Sequence, residues 1–216
     1  MLIKNFIFDL GGVVLNIDYG GPSKVLTSMG INNFDEYYSR AKQDNIFNDF
    51  EKGLISADAF RESIKQFLKL HITDEQLDTM WTAIILNFPQ ENIDLLIKLR
   101  KQYKTYLLSN TNIIHYNFYT KQLETANGVS WHDLFDETFF SHEMGLRKPE
   151  LDIYLKTLEQ TGISAYETLF IDDLKENIES ASACGLNTLW LKEGMTLTDV
   201  FFIENNGLYM REELVF

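Results

Sequence analysis

The sequence predicts an α/β protein with a doubly wound parallel sheet and an inserted domain of helices. Short apolar segments alternate with amphipathic segments of helical period, which is the pattern of strand–helix units around a parallel sheet. A long stretch after the first apolar segment breaks this alternation, because it has helical spacing and no convincing strand. We therefore expect an α/β core domain formed by residues 1–16 and 89–216 and a helical cap domain formed by residues 17–88.

Five segments are predicted to be strands buried on both faces, since each is an almost continuous apolar run. In chain order they are NFIFDL, KTYLLSN, ETFFSH, TLFIDD and NTLWLK. Amphipathic spacing predicts helices over residues 92–103, 111–126, 150–161 and 174–184. Gly162 and Gly185 follow two of these segments, at the position where a left-handed glycine often ends a helix.

Two segments of the predicted cap contain signals for helix starts. Ser56 precedes one apolar-periodic run, and Thr73 precedes another with Gln76 three residues later, which is the spacing of a capping box. Ligands of open α/β sheets bind at the carboxyl ends of the strands. A cap inserted directly after the first strand is therefore expected to close over a substrate and exclude water.

Composition limits the classes of function. The chain has 216 residues, 45% of them hydrophobic, so it can bury a substantial core. Its net charge of −13 argues against general binding of nucleic acid or anionic membranes, although a bound divalent cation would still permit a phosphorylated substrate. The amino-terminal segment is too short for a secretory signal and no apolar run approaches membrane-spanning length. We expect a cytoplasmic protein.

Polar side chains follow the ends of four predicted strands or lie just beyond them. Each has a structural explanation on its own, such as a turn cap or a solvated loop residue. Together they would bring carboxylates, a hydroxyl, an amide and an ammonium to one edge of the sheet, where the carboxylates would repel unless a metal ion or a lysine neutralised them. The residues that form this candidate site are Asp9, Ser109, Asn110, Lys148, Asp172 and Asp173.

Four short motifs occur in an order that resembles the haloacid dehalogenase-like hydrolases, most of which are Mg²⁺-dependent phosphatases. They are FDLGGV, LLSNT, GLRKPE and FIDD, with the helical stretch between the first two. The resemblance covers nearly the whole chain and implies a Rossmann-like core, a helical cap and Mg²⁺ as cofactor. It also implies a small phosphorylated molecule as substrate, and we expect a monomer or a homodimer.

The resemblance implies a role for each charged residue of the site. Asp9 would be the nucleophile that forms a phosphoaspartyl intermediate and would also bind Mg²⁺. Asp173 would bind the ion directly, with Asp172 in support, since Mg²⁺ prefers oxygen ligands. Ser109 would donate a hydrogen bond to the phosphoryl group, and Lys148 would offset the charge that this group shares with Asp9.

Neighbouring backbone groups complete the implied site. The N–H groups of Leu10 and Gly11 would hold the phosphoryl oxygens, the Asn110 amide would lie nearby, and the carbonyl of Gly11 would contact Mg²⁺. Glu143 is either a partner that fixes Lys148 or a surface residue.

Gly11 departs from the phosphatases of this family, which usually have an aspartate two residues after the nucleophile. That aspartate protonates the leaving oxygen, and general acid–base catalysis contributes about 10²–10⁴-fold. A substrate with a good leaving group would need it less, and the branch with a DxGG or DxGN first motif includes sugar-1-phosphate phosphatases. Alternatively, another acid replaces it: Asp18, or Asp44 or Glu51 of the cap.

Two other classes of function stay open. A 2-haloacid dehalogenase needs no acid at position 11, because halide leaves without a proton, but it also needs no Mg²⁺. The adjacent acids Asp172 and Asp173 favour the phosphatase, since they would repel without a cation. A phosphate-ligand binding module with negligible turnover is the third interpretation, and the presence of Asp9 argues against it.

Overall fold

The computed structural model describes residues 3–31, 45–204 and 207–211. Its centre is a parallel sheet of five strands in the order β3-β2-β1-β4-β5, which confirms the doubly wound α/β class. All five predicted strand segments are present as β1 (Asn5–Phe8), β2 (Lys104–Ser109), β3 (Glu137–Phe140), β4 (Thr168–Asp172) and β5 (Asn187–Trp190). Phe8 is paired with Leu107 of β2 and Ile171 of β4, so the residues that follow these strands emerge at one edge.

Four described helices belong to the predicted cap: α1 (Gly21–Ser28), α2 (Ile46–Glu51), α3 (Ala57–Phe67) and α4 (Asp74–Thr82). The predicted helix starts are confirmed, because Ser56 accepts a hydrogen bond from the backbone of Ala59 and Thr73 forms a complete capping box with Gln76. These helices bury an apolar cluster that includes Phe50, Phe60, Leu77 and Trp81.

The core helices are α5 (Gln90–Leu99), α6 (Ile113–Gln122), α7 (Trp131–Leu134), α8 (Ser141–Met144), α9 (Leu151–Thr161), α10 (Lys175–Ala183) and α11 (Leu197–Val200). They cover both faces of the sheet. Phe6 and Phe8 of β1 pack in a cluster with α5 and α6, whereas Ile7 packs in a second cluster with α9 and α10. A π-helix, Leu123–Asn127, continues α6, and Gly162 and Gly185 have the positive φ angles expected after α9 and α10.

The chain enters and leaves the cap along a two-stranded antiparallel connection. The N–H of Asn16 donates to the carbonyl of Asn87 (2.9 Å), and the N–H of Leu86 donates to the carbonyl of Asn16 (3.0 Å). The N–H of Asp18 then donates to the carbonyl of Ile84 (2.8 Å). We propose this hinge ribbon as the place where the cap, residues 17–88, meets the core.

A carboxyl-terminal hairpin was not predicted from the sequence. Its strands are β6 (Phe201–Glu204) and β7 (Gly207–Met210), which pair antiparallel outside the main sheet. The ring of Phe201 lies edge-on to Phe6, with centroids 5.4 Å apart, so the hairpin is anchored on the core. Within the described ranges, no helix is long and apolar enough to cross a membrane.

Candidate active site

Asp9 lies directly beyond β1, where its N–H donates to the carbonyl of Ile171 on the neighbouring strand (2.9 Å). Its carboxylate is largely buried, and its Oδ1 atom is 2.7 Å from the Nζ atom of Lys148. After Asp9 the chain turns tightly, because the N–H groups of Val14 and Leu15 both donate to the carbonyl of Leu10. The turn keeps the backbone of Leu10 and Gly11 beside the carboxylate at the open edge of the sheet.

The turn contains Gly11 and Gly12, and the structure requires a glycine at position 12 more strictly than at position 11. Gly12 has a φ angle of +77°, and a Cβ atom there would lie 2.5 Å from Oδ2 of Asp173. Gly12 is therefore needed both for its backbone angle and for the close approach of Asp173, a role that the sequence analysis did not assign. A Cβ on Gly11 would meet only Ile17, at an ordinary distance of 3.5 Å.

Lys148 is buried between two carboxylates. Its Nζ atom is 2.7 Å from Oδ1 of Asp9 and 2.7 Å from Oδ2 of Asp172, and its side chain is 1% exposed. Burial alone would lower the pKa of Lys148, but Asp172 and Asp9 outweigh it and raise the pKa, so the lysine is charged. Of the two alternatives for Glu143, the structure supports the surface residue: Glu143 is exposed, and the buried ammonium is paired with Asp9 and Asp172.

Asp172 is fully buried and accepts several hydrogen bonds. Its Oδ1 accepts from the N–H of Leu174 (2.8 Å), and the side-chain amide of Asn177 donates to both oxygens (3.0 and 3.1 Å). These bonds orient Asp172 toward Lys148. The sequence analysis missed Asn177; the available signal was an amide on the buried face of α10, five residues after Asp172.

The carboxylates of Asp9, Asp172 and Asp173 form a cluster that suits a cation. One oxygen from each lies within 4.8 Å of the others. Burial raises the pKa of Asp9 to about 7 despite Lys148, and burial together with Asp172 raises the pKa of Asp173 to about 6. Three carboxylates around a single lysine leave excess negative charge, and all-oxygen donors of this kind are those that Mg²⁺ prefers. The residues therefore fit the implied ion.

Ser109, the last residue of β2, and the following Asn110 lie at the same edge. Ser109 is buried, and the bond that its hydroxyl donates to the carbonyl of Asn110 is long (3.4 Å). The side chain of Asn110 donates to the carbonyl of Lys148 and accepts from its N–H, both at 2.8 Å. Asn110 thus fixes the backbone that carries Lys148, a side-chain role that the sequence analysis did not anticipate.

The proposed substitute acids have other contacts. Asp18 accepts from the N–H of Gly20 (2.9 Å) and from Nζ of Lys24 (2.6 Å) at the start of α1. The Lys24 hydrogen bond lowers the pKa of Asp18, which disfavours it as a proton donor. Glu51 is paired with Arg147, and Asp44 lies outside the described residues.

The chain is similar to known hydrolases in sequence and in fold. The family model of haloacid dehalogenase-like hydrolases matches residues 3–185. D-ribitol-5-phosphate phosphatase from Bacteroides thetaiotaomicron is 29% identical over 193 residues, which are 89% of this chain and 94% of that protein. The solved structure of the HAD family enzyme BT-2542 from the same organism, in complex with magnesium and inorganic phosphate, is 37% identical with a TM-score of 0.82 and covers 89% of this chain and 96% of that chain.

A more distant structure shares the fold alone. L-2-haloacid dehalogenase from Xanthobacter autotrophicus, solved with chloropropionic acid covalently bound, is 18% identical with a TM-score of 0.60. The match covers 88% of this chain and 78% of that chain.

Proposed function

This chain belongs to the haloacid dehalogenase-like hydrolase family, and from that membership and its site we propose that it is a Mg²⁺-dependent phosphatase with Asp9 as nucleophile. The phosphatase class follows from the relatives, which act on small phosphorylated metabolites. The phosphoaspartyl route, the residue roles and the substrate are the proposal. Because the relative named above acts on a polyol phosphate, the proposed substrates are phosphate esters of small polyols or sugars, sugar 1-phosphates included.

One observation carries the proposal: the buried ammonium of Lys148 lies 2.7 Å from both Asp9 and Asp172. A carboxylate can attack a phosphate dianion only where positive charge screens the two negative groups. Lys148 supplies that charge at the attacking carboxylate itself. The similarity to a relative that is a phosphatase by name favours an enzyme over a silent binder.

In the proposed reaction a carboxylate oxygen of Asp9 bonds to phosphorus while the bond from phosphorus to the ester oxygen breaks. The Ser109 hydroxyl and the N–H groups of Leu10 and Gly11 donate to the phosphoryl oxygens. Water then attacks the phosphoaspartyl group, which releases phosphate and restores Asp9. Asp9, Asp173 and the Gly11 carbonyl would hold Mg²⁺, with Asp172 in support; the bound ion supplies further positive charge.

The leaving oxygen needs a proton, and Gly11 has no side chain to provide it. With Asp18 engaged by Lys24, we propose that solvent water supplies this proton. A reaction of this kind favours good leaving groups such as an anomeric or phenolic oxygen. Sugar 1-phosphates and p-nitrophenyl phosphate should then react faster than a polyol phosphate. The ratio of these rates should be larger than in a phosphatase that has the usual acid.

The test measures phosphate release from D-ribitol 5-phosphate, a sugar 1-phosphate and p-nitrophenyl phosphate, each with Mg²⁺ and with a chelator. Asp9→Asn is the control and should lower turnover by about 10³-fold or more, as expected for a nucleophile. Asp18→Asn should leave turnover within about twofold, since an acid role would instead lower it by about 10²-fold or more.

The alternatives give different results in the same assay. Halide release from 2-chloropropionate that is indifferent to the chelator would establish a dehalogenase. Stabilisation by phosphate and Mg²⁺ without any Asp9-dependent release would establish a binding module, and either result would overturn the phosphatase mechanism.

A further inference from the structure

The cap touches the segment that carries Lys148 at a place remote in sequence from the hinge ribbon. The cap side consists of Glu51, Lys52 and Gly53, at the end of α2, and we call these three residues the cap latch. The core side is residues 141–150, which we call the Lys148 segment. It begins with α8 and contains Lys148 near its end.

Two ion pairs join the latch to the Lys148 segment. The cap supplies the negative residue in one pair and the positive residue in the other. Glu51 Oε2 is 2.9 Å from Nε of Arg147, and Lys52 Nζ is 2.5 Å from Oε1 of Glu150. Arg147 and Glu150 lie on either side of Lys148 in the chain. A negative and a positive residue of the cap therefore meet a positive and a negative residue of the core.

Two close backbone contacts accompany the ion pairs. The hydroxyl of Ser141 lies 2.6 Å from the carbonyl of Glu51 and 2.9 Å from that of Thr111, and it accepts from the N–H of Thr111 (2.8 Å). A Cβ atom on Gly53 would lie 2.1 Å from the carbonyl oxygen of His142. The latch therefore meets the backbone of the core directly, and through Ser141 it reaches the segment that follows Ser109.

We propose that Glu51 and Lys52 are positioning residues that couple cap closure to the placement of Lys148. When the latch binds Arg147 and Glu150, it fixes the Lys148 segment from the cap side. Asn110 fixes the same segment from the core side, through its two hydrogen bonds to the backbone of Lys148. The ammonium is held between Asp9 and Asp172 only when both sides are in place. This inference rests on the proposed function, because it assigns a consequence for turnover.

The latch acts through Lys148 and does not touch the reacting atoms, so its effect should be modest. All four charged side chains are partly exposed, and such pairs contribute little each. Loss of one pair should lower kcat/KM by about two- to fivefold. Arg147→Gln and Glu51→Gln should have equal effects, and the double variant should be no worse than either single one, because both remove the same interaction.

Equal effects of Arg147→Gln and Glu51→Gln would also distinguish the latch from a proton-donor role of Glu51. Arg147→Gln keeps the Glu51 carboxyl group, so an acid role predicts a loss in Glu51→Gln alone. The charge exchange Lys52→Glu with Glu150→Lys should retain more activity than either single reversal, since it restores the second pair.

Arg61→Gln is the matched control. Arg61 is paired with Asp78 (2.8 Å) and Asp58 (2.7 Å), and both partners lie in the cap. Its loss should lower thermal stability at least as much as the loss of Arg147 but leave kcat and kcat/KM unchanged. A readout without turnover is hydrogen exchange of the Lys148 amide, which should become faster in Glu51→Gln and stay unchanged in Arg61→Gln.

A pair of glycine variants tests the backbone contact. Gly53 and Gly30 both follow cap helices with positive φ angles, +66° and +79°, so alanine strains both backbones alike. A Cβ on Gly30 would meet no atom of the described residues within 4 Å, whereas on Gly53 it would collide with His142. Gly53→Ala should therefore lower kcat at least fivefold relative to Gly30→Ala.

The outcomes distinguish the latch from the function on which it rests. If wild-type protein shows no Asp9-dependent phosphate release, the proposed function is wrong, and the exchange of the Lys148 amide still decides whether the latch orders the segment. If wild-type protein is active but Glu51→Gln, Arg147→Gln and Gly53→Ala match their controls in both kcat and amide exchange, the latch is overturned while the phosphatase stands.

Discussion

At the scale of single residues, Gly11 is the position where sequence and structure together say most about the chemistry. It lacks the acid that phosphatases of this family usually have, yet a Cβ atom there would meet only Ile17, at 3.5 Å. Packing around Gly11 therefore does not require a glycine at this position, and a side chain could be accommodated there. The neighbouring Gly12 cannot change in the same way, because Asp173 occupies the space of its Cβ.

Gly11→Asp should therefore fold and add a proton donor beside Asp9. We expect turnover of D-ribitol 5-phosphate to rise about tenfold or more, since a general acid contributes about 10²–10⁴-fold when well placed. The rate with p-nitrophenyl phosphate, whose leaving group needs no proton, should change little. Gly11→Ala is the control for bulk alone, and an equal rise for both substrates would contradict the explanation.

Asn177 is the residue whose loss should separate positioning from stability. Asn177→Ala removes both side-chain hydrogen bonds to the buried Asp172, at a cost of about 1–3 kcal/mol in the free energy of unfolding. It should also lower kcat, because Asp172 would no longer be held toward Lys148.

Asn5→Ala is the matched change for Asn177→Ala. Asn5 is a buried asparagine at the opposite edge of the sheet that donates to Glu167 and Thr168. Denaturant unfolding should show similar losses for the two variants, with kcat reduced only for Asn177→Ala. An equal effect on kcat would remove the positioning role.

The sequence predicted the charged residues of the site but not their partners. Four charged residues lie at the ends of recognisable strands or in motifs that occur in a fixed order, and the sequence alone identifies such positions. They are Asp9, Lys148, Asp172 and Asp173. The two carboxylates that hold Lys148 come from strands separated by more than a hundred residues of chain, whereas Glu143 is near Lys148 in sequence. Proximity in the chain could not decide between the two alternatives for Glu143, because sheet register, not chain distance, decides which groups meet.

At the scale of elements, the parallel strands were the easiest to predict because both of their faces are buried. Helix ends shifted by a few residues, as at α5, where the predicted 92–103 became Gln90–Leu99. The hairpin of β6 and β7 was missed because its strands pair with each other, outside the alternation of strands and helices that predicts the main sheet. Its placement depends on Phe201, whose contacts with Phe6 and Phe8 are tertiary.

Phe201→Ala should consequently weaken the whole core domain. The side chain is almost completely buried, and deletion of a buried phenylalanine costs about 3–5 kcal/mol. Phe202→Ala is the control, because Phe202 is half-buried and stacks on Tyr209 within the hairpin. Chemical denaturation should show the larger loss for Phe201→Ala; equal losses would mean that the hairpin does not depend on this anchor.

At the scale of the whole molecule, the protein is acidic and buries several carboxylates at its candidate active site. The chain has a net charge of −13, and the pKa values of Asp9 and Asp173 are raised to about 7 and about 6. Without metal, the folded protein keeps protons that the unfolded chain releases above about pH 4. These two groups therefore reduce stability as the pH rises from about 4 to about 7.

Mg²⁺ should reverse this loss, because it binds the ionised carboxylates. The rise in the midpoint of thermal unfolding caused by MgCl₂ should be larger at pH about 7.5 than at pH about 5.5. Asp173→Asn, which removes a proposed ligand, should lose most of the rise, whereas Asp94→Asn on the surface of α5 should keep it. A rise independent of pH, or one retained in Asp173→Asn, would place the ion elsewhere.

The hinge ribbon has a consequence for how such a protein changes over evolutionary time. Because the two connections to the cap run side by side and bond to each other through Asn16, Leu86 and Asn87, the chain crosses between core and cap at one place. A different set of helices can be exchanged at this point without breaking any strand of the sheet. New substrate preferences can thus be acquired by transplanting one segment, provided that the incoming helices contact the Lys148 segment as the cap latch does.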